Sequence, residues 1–173
     1  LHEPASAECC APAPPVLEFD PEGNLVGWWG GPGEGYDWPS SNHGITVDHM
    51  DNVWIGGNGP DDGHILKFTR DGMFLLQLGR PGVGTGSNDP ENFGRVAEVS
   101  IDPGGDEVFV ADGYGNKRVA VLDIQTGALK RYWGAYGNRP DDAPVPPYRP
   151  EDPPAQQFRS PVHCAEISDD DLV

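Results

Sequence analysis

The chain repeats itself, and the repeat restricts it to a small set of folds. Phe19-Asp-Pro-Glu-Gly-Asn-Leu-Val-Gly-Trp-Trp-Gly30 aligns without a gap to Phe68-Thr-Arg-Asp-Gly-Met-Phe-Leu-Leu-Gln-Leu-Gly79, and Ile124-Gln-Thr-Gly-Ala-Leu-Lys-Arg-Tyr-Trp-Gly134 is a third copy. Each copy holds a glycine (Gly23, Gly72, Gly127) in a turn, where a positive φ is cheap, followed by an alternating strand that ends in an apolar residue and glycine. That pattern predicts a hairpin. Two further strands precede each complete hairpin, Ile45 to Asp48 and Asn52 to Ile55 in one copy, Val99 to Asp102 and Glu107 to Ala111 in the next. With Ile65 to Phe68 and Phe74 to Leu78, or Arg118 to Leu122 and Ala128 to Trp133, they make four antiparallel strands per unit. Four-stranded units that recur at roughly 50 residues, punctuated by glycine and aromatic residues, are the signature of β-propeller blades.

The sequence therefore predicts an all-β fold, a partial β-propeller of four-stranded antiparallel blades. An irregular lead-in covers 1–15, an outer half-blade 16–30, whole blades 43–79 and 97–134, a proline-rich inter-blade loop 135–161, and the start of another blade 162–173. A solenoid of hairpins is the alternative. The repeat is cut at Val173, so the chain is expected to be a piece of a longer protein, with the remaining blades outside it.

Composition narrows the partners. A net charge of −17 and 28 acidic residues against 11 basic ones should repel nucleic acid and anionic membranes. No run approaches the roughly 20 apolar residues of a membrane-spanning helix. The 24 glycines and 19 prolines suit short strands and tight turns better than helices. Cys9, Cys10 and Cys164 match neither a zinc-knuckle spacing nor an even-numbered disulfide framework.

Successive antiparallel strands reverse direction, which fixes the loops that share a face. His43 and His163 open innermost strands, Tyr114 follows a second strand, and the segments 80–95 and 135–161 join blades. All of these are expected on one face, the top. The Gly23, Gly72 and Gly127 turns belong on the other. The top-face segment 138–161 is proline-rich and acidic, and reads either as an extended cover or as a solvated insertion.

His43 and His163 occupy the same register of the repeat: His43-Gly-Ile-Thr-Val-Asp, then Ala97-Glu-Val-Ser-Ile-Asp, then His163-Cys-Ala-Glu-Ile-Ser. Imidazoles at equivalent points of alternate blades supply two of the three protein ligands that catalytic zinc usually has. Equally, each would serve to hydrogen-bond a neighbouring loop. Tyr114 lies between glycines in Asp112-Gly-Tyr-Gly-Asn-Lys-Arg118, where its phenol can project as a base assisted by a metal or a guanidinium, or can pack on the blade edge. Lys117 and Arg118 read as strand-surface charges, with steering of an anionic substrate as the alternative. His2, His49 and His64 share no register with the pair. His49 reads as a turn residue and His64 as one that opens a strand.

The Gly44-Ile-Thr-Val-Asp48 and Asp51-Asn-Val-Trp-Ile55 strand pair, and Asp112-Gly-Tyr-Gly-Asn-Lys-Arg-Val119, resemble NHL-repeat propellers. More narrowly, the order of motifs is similar to the peptidyl-α-hydroxyglycine α-amidating lyases, six-bladed propellers that bind zinc. The resemblance covers roughly Val16 to Val173. It implies zinc ligands at His43, within Asn42-His43-Gly44 where the family has Pro-His-Gly, and at His163, where Pro and Ser of a Val-Pro-His-Ser motif are changed. It implies a catalytic tyrosine at Tyr114 and a structural calcium on the Ile45 backbone carbonyl. Gly115 and Gly94 stand where the family has a disulfide. The family's third histidine and its arginine would fall beyond Val173, so a partial site is expected here.

What the resemblance implies for function is cleavage of a peptidyl α-hydroxyglycine to a peptide amide and glyoxylate, in an extracytoplasmic or secreted protein. The competing expectation is a non-catalytic propeller that binds a protein, peptide or small molecule on its top face.

Overall fold

The computed structural model of the protein describes residues 12–168, 170 and 172–173. His2, Cys9 and Cys10, with most of the lead-in, lie outside them. Ten strands, β1 (Val16–Phe19), β2 (Leu25–Trp29), β3 (Asn42–Val47), β4 (Val53–Gly57), β5 (His64–Phe68), β6 (Phe74–Gly79), β7 (Glu98–Ile101), β8 (Glu107–Asp112), β9 (Arg118–Asp123) and β10 (Leu129–Trp133), form three antiparallel sheets. These are the hairpin β1-β2 and two meanders of four strands, β3-β4-β5-β6 and β7-β8-β9-β10, each ordered as in the chain. The described residues contain no α-helix, only a single 3-10 turn at Ala135–Gly137 that the sequence did not suggest. This is the blade form the repeat predicts.

The sheets pack face to face, and strand alternation shows how. On β4, Val53 and Ile55 meet the β1-β2 layer with Val16, Leu66 and Phe68, while Trp54 points the other way. Trp54 joins Ile65 with Val99, Val108, Val110, Ala120 and Leu122 of the next sheet. On that sheet's far face, Phe109, Ala111, Val119 and Val121 pack against Val162 and Ala165. The middle strands β4, β5, β8 and β9 are thus covered on both sides, which is why apolar residues predominate on both of their faces. Each large apolar side chain so buried contributes about 1.5–3 kcal/mol.

The turn glycines do more than bend the chain. Gly72 has φ +87, and a Cβ placed there would lie 2.7 Å from the ring of Trp29 on β2. Gly127, at φ +72, lies under Leu78 of β6 in the same way. Trp29 and Leu78 are equivalent positions of the repeat, so the last strands β2 and β6 each rest on the next sheet's turn.

Polar groups also join the sheets. The Lys67 ammonium sits 3.2 Å from both the Asp48 carboxylate and the Ile124 carbonyl, which it reaches as a donor. The Trp54 indole N–H donates to the same carboxylate at 3.0 Å. His64 does open a strand, β5, and is fully buried, with Nε2 donating to the Asp37 carbonyl at 2.7 Å. His49 lies in the turn between β3 and β4, with its ring against Gly105 of the neighbouring sheet.

Residues 162–168, expected to open another innermost strand, pair in no ladder among the described residues. A strand is defined by its neighbour, and what holds this segment is packing of Val162, Ala165 and Ile167 on the β7–β10 sheet. One further contact is the Ala165 N–H donating to the Glu98 carboxylate at 3.2 Å.

Candidate functional site

The side chain of His43 is aimed by an irregularity in β3. The pairing of β3 with β4 shifts register between His43 and Ile45, and Gly44 takes φ +72. There is no room for a side chain at Gly44, because a Cβ would come within 2.7 Å of the Ala97 carbonyl. This close approach places β3 beside β7. His43 Nδ1–H then donates to that same Ala97 carbonyl at 2.8 Å, and the Thr46 hydroxyl donates to the Val99 carbonyl. The middle copy of the repeat, where alanine replaces histidine, therefore contributes its backbone to the histidine of the copy before it.

Tyr114 is held by its own loop and by two others. Its N–H donates to the Arg95 carbonyl at 3.2 Å, and Gly115 N–H donates to the Gly94 carbonyl at 2.5 Å. Gly115 and Gly94 are backbone neighbours: a Cβ on Gly115 would lie 3.3 Å from Gly94 Cα. His163 follows Val162, whose backbone lies directly on Gly113, with no space for even a methyl between them. The Ser160 hydroxyl meets the carbonyls of Gly113 at 2.9 Å and Tyr114 at 3.2 Å.

These placements bring the three side chains together. The Tyr114 hydroxyl lies 3.1 Å from His43 Nε2 and 3.0 Å from His163 Nε2. The two imidazole rings are 5.4 Å apart between centroids, nearly perpendicular. With the Nδ1 proton committed to Ala97, neutral His43 presents a lone pair at Nε2, to which the phenol donates. The remaining contact is then made by His163 Nε2–H donating to the phenol oxygen. Of the two readings of His43, the hydrogen bond to a neighbouring chain segment is present, and the same imidazole also faces the tyrosine.

Arg118 is a correction to the surface-charge reading, whereas Lys117 is partly exposed. Arg118 is 1% exposed. Its Nε donates to the Asp112 carboxylate at 2.8 Å, Nη1 to the carbonyls of Ser87 at 3.1 Å and Asp89 at 2.6 Å, and Nη2 to Asn92 at 2.8 Å. Asp112 also accepts from Gly94 N–H and from the Asn116 amide. Burial pushes the Asp112 carboxyl up, against the pull of Arg118 and of these hydrogen bonds. At Asp89 burial pushes the same way, but the N–H groups of Glu91, Asn92 and Thr85 hold the carboxyl well below the usual range. The pair Asp112 and Arg118 is thus the internal frame of the Tyr114 loop. Lys117 donates to the carbonyls of Asp141 and Ala143, and the Asp142 carboxylate accepts from Ser87 N–H and its hydroxyl. These contacts strap the start of the proline-rich segment onto the loop 80–95.

Arg95 is the residue that sequence reasoning passed over. It adopts φ +67, its Nε donates to the Asn58 carbonyl at 2.9 Å, and its guanidinium carbon lies 5.9 Å from the Tyr114 ring centre. Nothing in the pattern around it signals this. Ile45 lies on β3 opposite Ile55, with its side chain exposed. Among the described residues, no group of three or more His, Cys, Asp or Glu side chains is gathered as a metal site.

No family model matches the chain. An alignment 109 positions long, covering 57% of the chain, is 35% identical to peptidyl-alpha-hydroxyglycine alpha-amidating lyase 1 of Drosophila melanogaster. That alignment covers 18% of the relative, so the chain corresponds to a small part of it.

Proposed function

We propose that the chain is part of an NHL-repeat β-propeller related to the peptidyl-α-hydroxyglycine α-amidating lyases, and that His43, Tyr114 and His163 are its share of the lyase site. The observation that carries this reading is the Tyr114 hydroxyl lying between two imidazole Nε2 atoms at 3.1 and 3.0 Å. The similarity to a lyase of that name supports the choice of reaction.

In that reaction Tyr114, as the phenolate, takes the proton of the substrate's α-hydroxyl. The C–O bond becomes the carbonyl of glyoxylate as the C–N bond breaks, and the departing nitrogen takes a proton to become the peptide amide.

The donor set suits zinc as far as it goes. An imidazole whose Nδ1–H is given to a backbone carbonyl is oriented and tautomerically fixed as metal-ligating histidines usually are. His43 would hold the ion through Nε2, and His163 likewise once its proton is on Nδ1, with the remaining ligand coming from blades outside this chain. Bound zinc would polarise the substrate oxygen. A calcium on the Ile45 carbonyl, a peptide ligand on the top face and an extracytoplasmic location belong to the same proposal.

The test is zinc content and glyoxylate release by the intact protein. Zinc should fall in His43→Ala, and release from a peptidyl α-hydroxyglycine should fall by about 100-fold or more in Tyr114→Phe. Zinc unchanged by His43→Ala, or absent throughout, would overturn the lyase reading in favour of a propeller that only binds a ligand on this face.

A further inference from the structure

Against the loop that carries Tyr114, at its next two residues, is a cavity of about 320 Å³ whose lining includes Asp61, Asp62, Gly94, Arg95, Gly115 and Asn116. Its size is at the lower end of small-molecule sites. The charged groups around it are not equally committed. The Asp62 carboxylate is satisfied by Ser40 N–H and hydroxyl, Ser41 N–H and Gly59 N–H, at 2.7–3.1 Å. Asp61 is exposed to solvent. Arg95 spends only Nε, on Asn58, and among the described residues its terminal nitrogens meet no acceptor and form no ion pair.

In a chain with 28 acidic residues, a half-buried guanidinium that meets no carboxylate among the described residues is conspicuous. Its backbone adds a second argument. The φ of +67 at Arg95 costs an L-residue about 1–2 kcal/mol that glycine would not incur. A purely structural role at this position would be served better by glycine, as at Gly44 or Gly72. The strain instead projects a planar, permanently charged fork over the tyrosine ring, at the edge of the cavity.

We infer that Arg95 anchors the carboxylate of a ligand in this cavity, using its free terminal nitrogens, and so orients the ligand's adjacent carbon toward Tyr114. The anion site follows from the unpaired guanidinium and the cavity. The choice of a monocarboxylate rests on the lyase reading, in which substrate and product both carry one. A guanidinium fork matches a carboxylate with two parallel hydrogen bonds, the geometry that fixes orientation as well as affinity. Arg95 is in these terms a positioning residue for the Tyr114 chemistry.

The experiment is calorimetric binding of glyoxylate to the intact protein, compared with uncharged glycolaldehyde. Arg95→Gln should weaken glyoxylate at least tenfold and leave glycolaldehyde unchanged. Arg95→Lys should recover part of the loss, and Arg131→Gln, an equal change of charge on β10, should bind glyoxylate as the wild type does. Arg95→Gly separates binding from folding: it relieves the left-handed strain, so it should unfold no earlier than the wild type yet bind glyoxylate as weakly as Arg95→Gln. Glyoxylate binding that is undetectable in the wild type, no tighter than that of glycolaldehyde, or unaffected by Arg95→Gln or Arg95→Gly would overturn the inference. The lyase reading fails separately: Arg95-dependent glyoxylate binding without lyase activity keeps the anchor and removes the reaction. Lyase activity with an unchanged KM in Arg95→Gly does the reverse.

Discussion

Replacing Arg118 by methionine should be among the most damaging single changes in the chain, although the residue touches neither histidine. Methionine keeps most of the apolar stem between Phe93 and Tyr132, whose rings lie 5.8 and 5.3 Å from the guanidinium carbon. It removes all four hydrogen bonds. The carbonyls of Ser87, Asp89 and Asn92 lose their donor, and the Asp112 carboxylate keeps only Gly94 and Asn116. Breaking a buried pair from one side costs about 3–5 kcal/mol, because the partner is left charged and uncompensated. A built-in comparison is Arg131, whose ion pair with Glu107 at 2.6 Å is formed by a side chain 48% exposed. Arg131→Met should cost less than about 1 kcal/mol. Equilibrium urea unfolding of the intact protein measures both. Adding Asp112→Asn to Arg118→Met should recover at least about 1 kcal/mol of the expected additive loss, since it discharges the orphaned carboxyl. A cost for Arg118→Met no larger than that for Arg131→Met, or strict additivity with Asp112→Asn, would refute the view of this pair as the frame of the Tyr114 loop.

Two further predictions concern geometry and pH. Gly113→Ala would put a methyl 1.9 Å from the Val162 carbonyl oxygen, so the segment that carries His163 must move; stability should fall by about 1–3 kcal/mol in urea unfolding. A loss below about 0.5 kcal/mol would mean that Gly113 and Val162 are not in contact. At Asp48 burial raises the carboxyl, but hydrogen bonds from Trp54, Asn52 and Met50 outweigh it and hold the group at about 2, against an ordinary 3.8. A depressed carboxyl stabilises the fold above its unfolded value, here by about 2 kcal/mol, and the contribution disappears as pH falls through about 2. Asp48→Asn should therefore be less stable than wild type at pH 7 by about that amount, with the gap closing between pH 4 and pH 2; a gap independent of pH would argue against the shift.

The strands were legible because alternation and turn glycines are local signals. Phe68 to Gly79 announces a hairpin whatever surrounds it, and β5 and β6 lie where the repeat puts them. The common face of His43, Tyr114 and His163 was legible too, since antiparallel order alone decides which loops are neighbours. What stayed hidden depends on partners distant in the chain. Arg118 sits in an alternating strand at a position that reads as surface, and only the course of residues 87–92 across it makes it interior. The carbonyl of Ala97 carries no side-chain signal at all, yet it sets the tautomer of His43. Arg95 was invisible because left-handed φ at a non-glycine residue has no sequence mark. The strap of Asp142 on Ser87 was hidden for the same reason as Arg118, since composition predicts an extended segment but not its anchor.

The contact of Trp29 with Gly72, repeated by Leu78 and Gly127, joins the three sheets at both seams by a plug set into a socket, and gives the middle sheet one of each. The socket is made by a missing side chain, so it is identical in all three copies as Gly23, Gly72 and Gly127, whereas the plugs have diverged to tryptophan and leucine. A module with complementary ends can be duplicated in tandem without inventing a new interface, because the copy brings both halves of the joint. Damage to the fold is correspondingly asymmetric. Altering a plug reshapes one seam, while filling a socket disconnects the blades on either side of it.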